Sequence, residues 1–140
     1  QGIETLPLRM ERHSANAAAL SEWLSRHPQV EQVAYPGRAD HPTAHNAKCY
    51  LKRGGGMLGL YVKGGYEAAK QVVSRTQLFS HAANMGDCKS LIIHPASTTH
   101  SPVDPSVRQS IGIADNFLRL SVGLEHIEDL KQDLDLALAA

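Results

Sequence analysis

Net charge is the first thing this sequence lacks. Its 14 Lys and Arg residues are matched by 14 Asp and Glu, so no single-sign field steers it toward nucleic acid or an anionic membrane. Long apolar runs are missing too. No stretch approaches the roughly 18 residues of a membrane span, and no signal-peptide pattern opens the chain. Cysteine is scarce: Cys49 and Cys88 make no disulfide framework and read as free thiols of a reducing, cytoplasmic compartment. There is no internal repeat and no low-complexity tract. An initiator Met is also lacking, and "QGIETLPLRMERHSANAAALSEWLSRH" enters a helix with no capping chemistry before it, which predicts a piece of a longer protein.

What is present is enough for one compact domain of 140 residues. Met10, Ala17, Leu20 and Leu24 lie on one stripe of a first helix that starts near Leu6, with Pro7 in its first turn. "VEQVAYPG" reads as a short strand ended by Pro36 and Gly37. "DHPTAHNAKCYLKR" predicts a short helix, with Asp40 as its N-cap and Pro42 in its first turn. "GGGMLGLYVKGG" is a glycine-bracketed strand in which Leu58, Leu60 and Val62 alternate. "YEAAKQVVSRTQ" is a helix with Tyr66, Ala69 and Val73 on one side. "KSLIIHPAS" is a strand halted by Pro95, and "FLRLSVGLE" is another strand. "HIEDLKQDLDLALAA" closes the chain as a helix, with Ile127, Leu130, Leu134 and Leu138 inward and acids toward its N-terminal half. That order predicts an α/β (α+β) layer sandwich: a sheet of about four strands, helices on one face, and at least one antiparallel pair at the end.

The strand "FLRLSVGLE" poses the functional question. Leu118, Leu120, Val122 and Leu124 alternate to one side; Phe117, Arg119, Ser121 and Gly123 alternate to the other. An arginine on that second face has a bland reading, an exposed pair with a cross-strand acid worth roughly 0–1 kcal/mol. It also has a functional one, a guanidinium fork held still by a rigid strand to bind a carboxylate through two parallel hydrogen bonds. His41, His45 and Cys49 stand four residues apart, as zinc ligands on a helix can. Pro42 puts His41 at the helix edge, however, and no second Cys/His pair follows, so a solvated helix face is the reading. "SLIIHPASTTHS" carries hydroxyls and histidines but no G-x-S-x-G elbow, and Ser/Thr-rich loops after strands usually satisfy their own backbone. "RGGGMLG" lacks the spacing of a nucleotide loop. Residue chemistry alone stops at an α/β domain with an anion site on one sheet face.

Several segments together resemble one family. "TLPLRMERHSANA", "VAYPG", "HPTAHNAKCY", "FSHAANMGDCKSLIIHPASTTHS" and "LRLSVGLEHIEDLKQDLDLAL" are similar, in order, to the C-terminal part of the Cys/Met-metabolism family of pyridoxal-phosphate (PLP) enzymes. Within it, "GDCKSLIIHPASTTH" is most similar to O-acetylhomoserine sulfhydrylases. The resemblance implies a helix linking two domains over residues 1–27, and a small C-terminal domain over 28–140 with a mostly antiparallel sheet. The uncovered face of that sheet would abut the active-site cleft. It implies that Arg119 binds the α-carboxylate of an amino-acid substrate. Ser90 would lie beside that carboxylate, and the loop Ser97, Thr98, Thr99 and His100 near the cleft. Fixing the carboxylate orients the Cα–H bond, and orientation can supply several kcal/mol. It further implies a PLP domain upstream, a tetrameric whole enzyme and homocysteine made from O-acetylhomoserine and sulfide. Cystathionine γ-synthase or methionine γ-lyase activity, or a stand-alone binding or assembly module of the same fold, are the alternatives.

The family's cofactor lysine lies in an S-x-T-K setting, and none of Lys48, Lys52, Lys63, Lys70, Lys89 or Lys131 has it. The chain by itself is therefore expected to be folded but inactive, with no covalently bound PLP, no metal and no catalytic residue of its own. Its uncovered face is expected to leave apolar residues such as Phe117 and Phe79 partly open.

Overall fold

The strands and helices arise where the side-chain periods change from two to about 3.6. The computed structural model describes residues 2–139. In chain order it forms α1 (Leu6–Leu24), β1 (Val30–Ala34), α2 (Ala44–Tyr50), β2 (Met57–Val62), α3 (Gly65–Arg75), β3 (Ser80–His81) and β4 (Leu91–Ile93). A short 3-10 turn (Pro95–Ser97), α4 (Pro105–Ser110), β5 (Phe117–Ser121) and α5 (Ile127–Leu138) follow. The sheet has five strands in the order β1-β2-β5-β4-β3. All neighbours are antiparallel except β3 and β4, which run parallel. The layer sandwich and the antiparallel final pair are as expected. The extra strand over the expected "about four" is β3, whose two residues are too few to carry a period.

One face of the sheet is built for burial. Leu58, Leu60 and Val62 of β2 and Leu118 and Leu120 of β5 are at most 1% exposed and pack with Ala17, Leu20 and Leu24 of α1 and Leu130, Leu134 and Leu138 of α5. Each such leucine contributes about 1.5–3 kcal/mol relative to exposure. Helix α1, which lies within the stretch 1–27 expected to link two domains, thus also supplies core residues to this one. Phe79 is part of the same core at 2% exposure, so it does not open onto the uncovered face as expected. Phe117 is half-buried there, its ring 5.0 Å from that of Tyr61.

Side-chain ties to backbone fasten the layers. On α1, His13 Nδ1 donates to Val122 O (2.6 Å), and Asn16 Nδ2 donates to Gly123 O and Glu125 O (3.0 and 2.9 Å). On α5, the Asp133 carboxylate accepts the backbone N–H groups of Gln77, Leu78 and Phe79. Asp40 does not cap α2. Its carboxylate is taken by the Arg38 fork at 2.9 and 2.7 Å, which holds it below its ordinary range, and Thr43 occupies the cap position with no side-chain bond to the helix backbone. The helix begins at Ala44, so Asp40 lies three residues before the cap position and its carboxylate pairs with Arg38 instead. Asp104, by contrast, caps α4 through Ser106 N at 2.8 Å.

Candidate functional site

Arg119 stands at the centre of the face the helices leave uncovered. Its cross-strand neighbours are Gly59 on β2 and Ile93 on β4. Neither is an acid, so the bland pairing has no partner across the strands. Among the described residues no ion pair includes Arg119. Its hydrogen bond is a long one, from Nη2 to Asn84 O at 3.4 Å. Arg119 is half-buried, and no carboxylate among the described residues pairs with its guanidinium.

A strap of backbone crosses this face beside it. Gly86 N donates to the buried Ser121 Oγ (3.0 Å), and Leu124 N donates to Cys88 O (2.8 Å). From Ala83 to Lys89 every residue is exposed. The chain then turns into Ser90, which is fully buried. Ser90 N and Oγ donate to the two oxygens of Glu125 (2.6 and 2.8 Å), and Ser90 Oγ accepts from Gly123 N (2.8 Å). Ser90 precedes Leu91, which pairs with Ser121, whereas Arg119 pairs with Ile93. The structure therefore places Ser90 about three residues, roughly 10 Å, along the sheet from Arg119. The two side chains do not meet, and the Ser90 hydroxyl is already committed to Glu125 and Gly123.

The Ser97–His100 loop follows β4, and its 3-10 turn packs against β5. Its hydroxyls turn mostly inward. Thr98 Oγ1 donates to His94 O at 2.7 Å, and Ser97 Oγ meets His94 Nδ1 at 2.9 Å. His94 Nε2 lies 2.7 Å from Asp115 O. A carbonyl only accepts, so Nε2 carries the proton and Nδ1 accepts from Ser97. Burial lowers the His94 pKa below its ordinary value, although the Asp115 carbonyl pulls the other way. Asp115 also anchors Arg108 (2.9 Å), whose Nη1 donates to Ala96 O (2.9 Å), so the loop is braced from beneath. Thr99 is exposed, its Oγ1 2.9 Å from His100 Nδ1.

Sequence reading named Arg119, Ser90 and this loop, but missed Asn84, Gly86, Glu125 and Arg108. Gly86 alone carried a local signal, as a turn glycine in "NMGD". His45 Nε2 and Cys49 Sγ are 3.7 Å apart, while His41 lies before α2 and accepts from Thr43. Among the described residues no group of three His, Cys, Asp or Glu side chains could hold a metal ion. No helix among them is long and apolar enough to cross a membrane. A cavity of about 380 Å³ opens at the β1 edge beside Gln32, Arg38, Asp40 and Tyr61, away from Arg119 and Ser90.

An open arginine on the uncovered face of an antiparallel sheet is a feature that can be compared with known proteins. The family model for Cys/Met metabolism PLP-dependent enzymes matches residues 1–139. The chain belongs to that family. Among curated members of the Cys/Met-metabolism family, it is 52% identical over 139 residues to O-acetyl-L-homoserine sulfhydrylase 1 of Thermus thermophilus, covering 99% of this chain and 33% of that protein. It is 48% identical over 140 residues to L-methionine gamma-lyase of Pseudomonas putida, covering 100% of this chain and 35% of the relative. A solved structure assigned as an O-acetylhomoserine (thiol)-lyase from Campylobacter jejuni, which carries N'-pyridoxyl-lysine-5'-monophosphate, matches with a TM-score of 0.95 and 44% identity. The match covers 100% of this chain and 34% of that one. The chain thus spans about a third of the length of the relatives it matches.

The family uses PLP, yet the lysines described here do not fit as its carrier. Lys63 is bound to Pro28 O at 2.6 Å, Lys131 to Glu128 at 2.7 Å, and Lys70 lies 3.8 Å from Glu67. Lys48, Lys52 and Lys89 belong to exposed positions. None of them is placed to carry the cofactor, so no step through PLP is assigned to this chain. What this family member does present is Arg119, which has no ion partner among the described residues.

Proposed function

We propose that this chain is the C-terminal domain of a PLP-dependent sulfhydrylase that makes homocysteine from O-acetylhomoserine and sulfide, and that Arg119 binds the α-carboxylate of the amino-acid substrate. The observation that carries the reading is the guanidinium itself, without an ion partner among the described residues, on the sheet face that the helices leave uncovered. A planar fork matches a carboxylate, and a strand flanked on both sides by paired strands holds it rigid. The sulfhydrylase assignment is supported by the 52% identity to the Thermus thermophilus protein.

Ser90 supports the site from a distance by anchoring the start of β4 through Glu125, and the Ser97–His100 loop borders it. Helix α1, within the stretch 1–27, joins this domain to a PLP-binding domain upstream, and that domain closes the cleft over Arg119. The whole enzyme is an oligomer of the tetrameric type. PLP, held by the upstream domain, supplies the electron sink for chemistry at the substrate Cα. This chain's share is to bind and orient the carboxylate, and alone it is inactive. A methionine gamma-lyase reading is favoured by the 48% identity to the Pseudomonas putida enzyme. It is separated by assaying the same preparation for homocysteine formation and for methionine cleavage.

The test of the Arg119 role is Arg119→Ala in the full-length enzyme. Losing a charge-assisted contact of about 1.5–3 kcal/mol, with added cost for an unpaired carboxylate, lowers kcat/KM roughly 10- to 1,000-fold. Arg119→Lys recovers only part, because an ammonium cannot form the fork. Unchanged kcat/KM in the alanine variant rules the role out.

A further inference from the structure

We propose that Ser121 is a positioning residue: by pinning the strap at residues 84–88 across the sheet face, it aims Arg119 at the substrate carboxylate. The inference rests on the reading of Arg119 as the carboxylate fork.

Strand alternation places Ser121 on the same face as Arg119, two residues along. It is buried at 3% exposure, a place where a hydroxyl needs a partner. Its partner is Gly86 N at 3.0 Å. Gly86 has φ of +75°, a conformation that glycine adopts without strain, so the N–H is presented to Ser121 by a turn only glycine takes readily. Two residues earlier the same strap places Asn84 O at 3.4 Å from Arg119 Nη2. That contact is long enough to steer the guanidinium while leaving its fork open for a better acceptor.

The strap has little else to hold it. Its side chains from Ala83 to Lys89 face solvent, Met85 at 61% exposure, so no packed core fixes it. Backbone ties do the work, at Asn84, Gly86 and Cys88. The middle tie ends on a side-chain oxygen, so it is the one that a substitution removes cleanly. Without that hydroxyl the strap is held only at its two ends, by the pairing of His81 with Ile92 and by the tie at Cys88, and the carbonyl between them that orients Arg119 is released. The tie at Cys88 and the Ser90–Glu125 bonds are untouched, so the sheet stays intact.

The experiment uses the full-length, PLP-loaded enzyme and a pair of competing ligands: L-norleucine, and n-pentylamine, which lacks only the carboxylate. Ser121→Ala is expected to weaken norleucine roughly 3- to 10-fold, the worth of one lost neutral hydrogen bond. Pentylamine should change less than about twofold, and KM for the amino-acid substrate should rise with kcat held. Ser121→Thr, which keeps the hydroxyl, should return norleucine to near the parent value. A purely structural role would shift both ligands alike; that result, or an unaltered norleucine constant, overturns the proposal. Arg119→Ala is run alongside. If it fails to weaken norleucine selectively, the carboxylate reading itself is wrong; if it does so while Ser121→Ala does not, only the positioning role falls.

Discussion

Replacing Asp133 by alanine tests how the uncovered face is held from behind. Asp133 lies on α5, is 9% exposed, and takes three backbone N–H groups in a row: Gln77 at 2.8 Å, Leu78 at 3.0 Å and Phe79 at 3.1 Å. These residues lead into β3 and then the strap. The Phe79 amide is buried, so the alanine variant leaves it without a partner, which costs about 1–3 kcal/mol. Gln77 is exposed and Leu78 half-exposed, so water replaces those bonds and the loss there is about 0.5–1 kcal/mol each. The expected total is about 2–5 kcal/mol, a large part of the stability of a domain this size. Asp133→Asn keeps one accepting oxygen and should lose about half as much. Urea unfolding followed by circular dichroism measures both, with comparison made only where the m-value is unchanged. A loss under about 1 kcal/mol for the alanine variant would mean that packing alone holds the segment, and would refute the reasoning.

The remaining expectations concern pH and packing. Burial depresses the His94 pKa below its ordinary 6.5, so the unfolded chain takes up this proton at a higher pH than the folded one. Stability is therefore whole above about pH 6.5 and falls as pH drops below it, by at most about 1.4 kcal/mol per unit. His94→Gln should flatten the interval from pH 6.5 to 5.5 in urea midpoints; an unchanged fall would assign it to another group. Gly123→Ala should cost about 3 kcal/mol or more. A Cβ there would meet Cys88 O, the Glu125 carboxylate and Ser90 N, two of them backbone atoms that cannot swing aside. A midpoint within error of the parent would show that the Ser90–Glu125 corner is looser than drawn.

Local chemistry in the sequence was sufficient for the elements and for the face on which Arg119 stands. Period-two alternation in "FLRLS" separates Leu118 and Leu120 from Arg119 and Ser121 with no knowledge of neighbouring strands, because consecutive Cβ atoms in a strand must point opposite ways. The stripes of α3 and α5 were legible for the matching reason, the return of side chains every three to four residues. A signal for α4 was also on the page, Asp104 before Pro105, and six residues were too few to make a period of it. Tertiary structure alone decided which polar groups meet. Arg119 was legible as an unusual charge, but its freedom depends on Gly59 and Ile93 being its neighbours, which strand order and register determine. Ser90 and Glu125 are 35 residues apart and Asn16 and Gly123 are 107 apart. Asp133 reaches back 54 residues to Phe79. Such bonds leave no periodic trace, because each joins a side chain to a group far along the sequence that is brought near by the burial of apolar faces elsewhere.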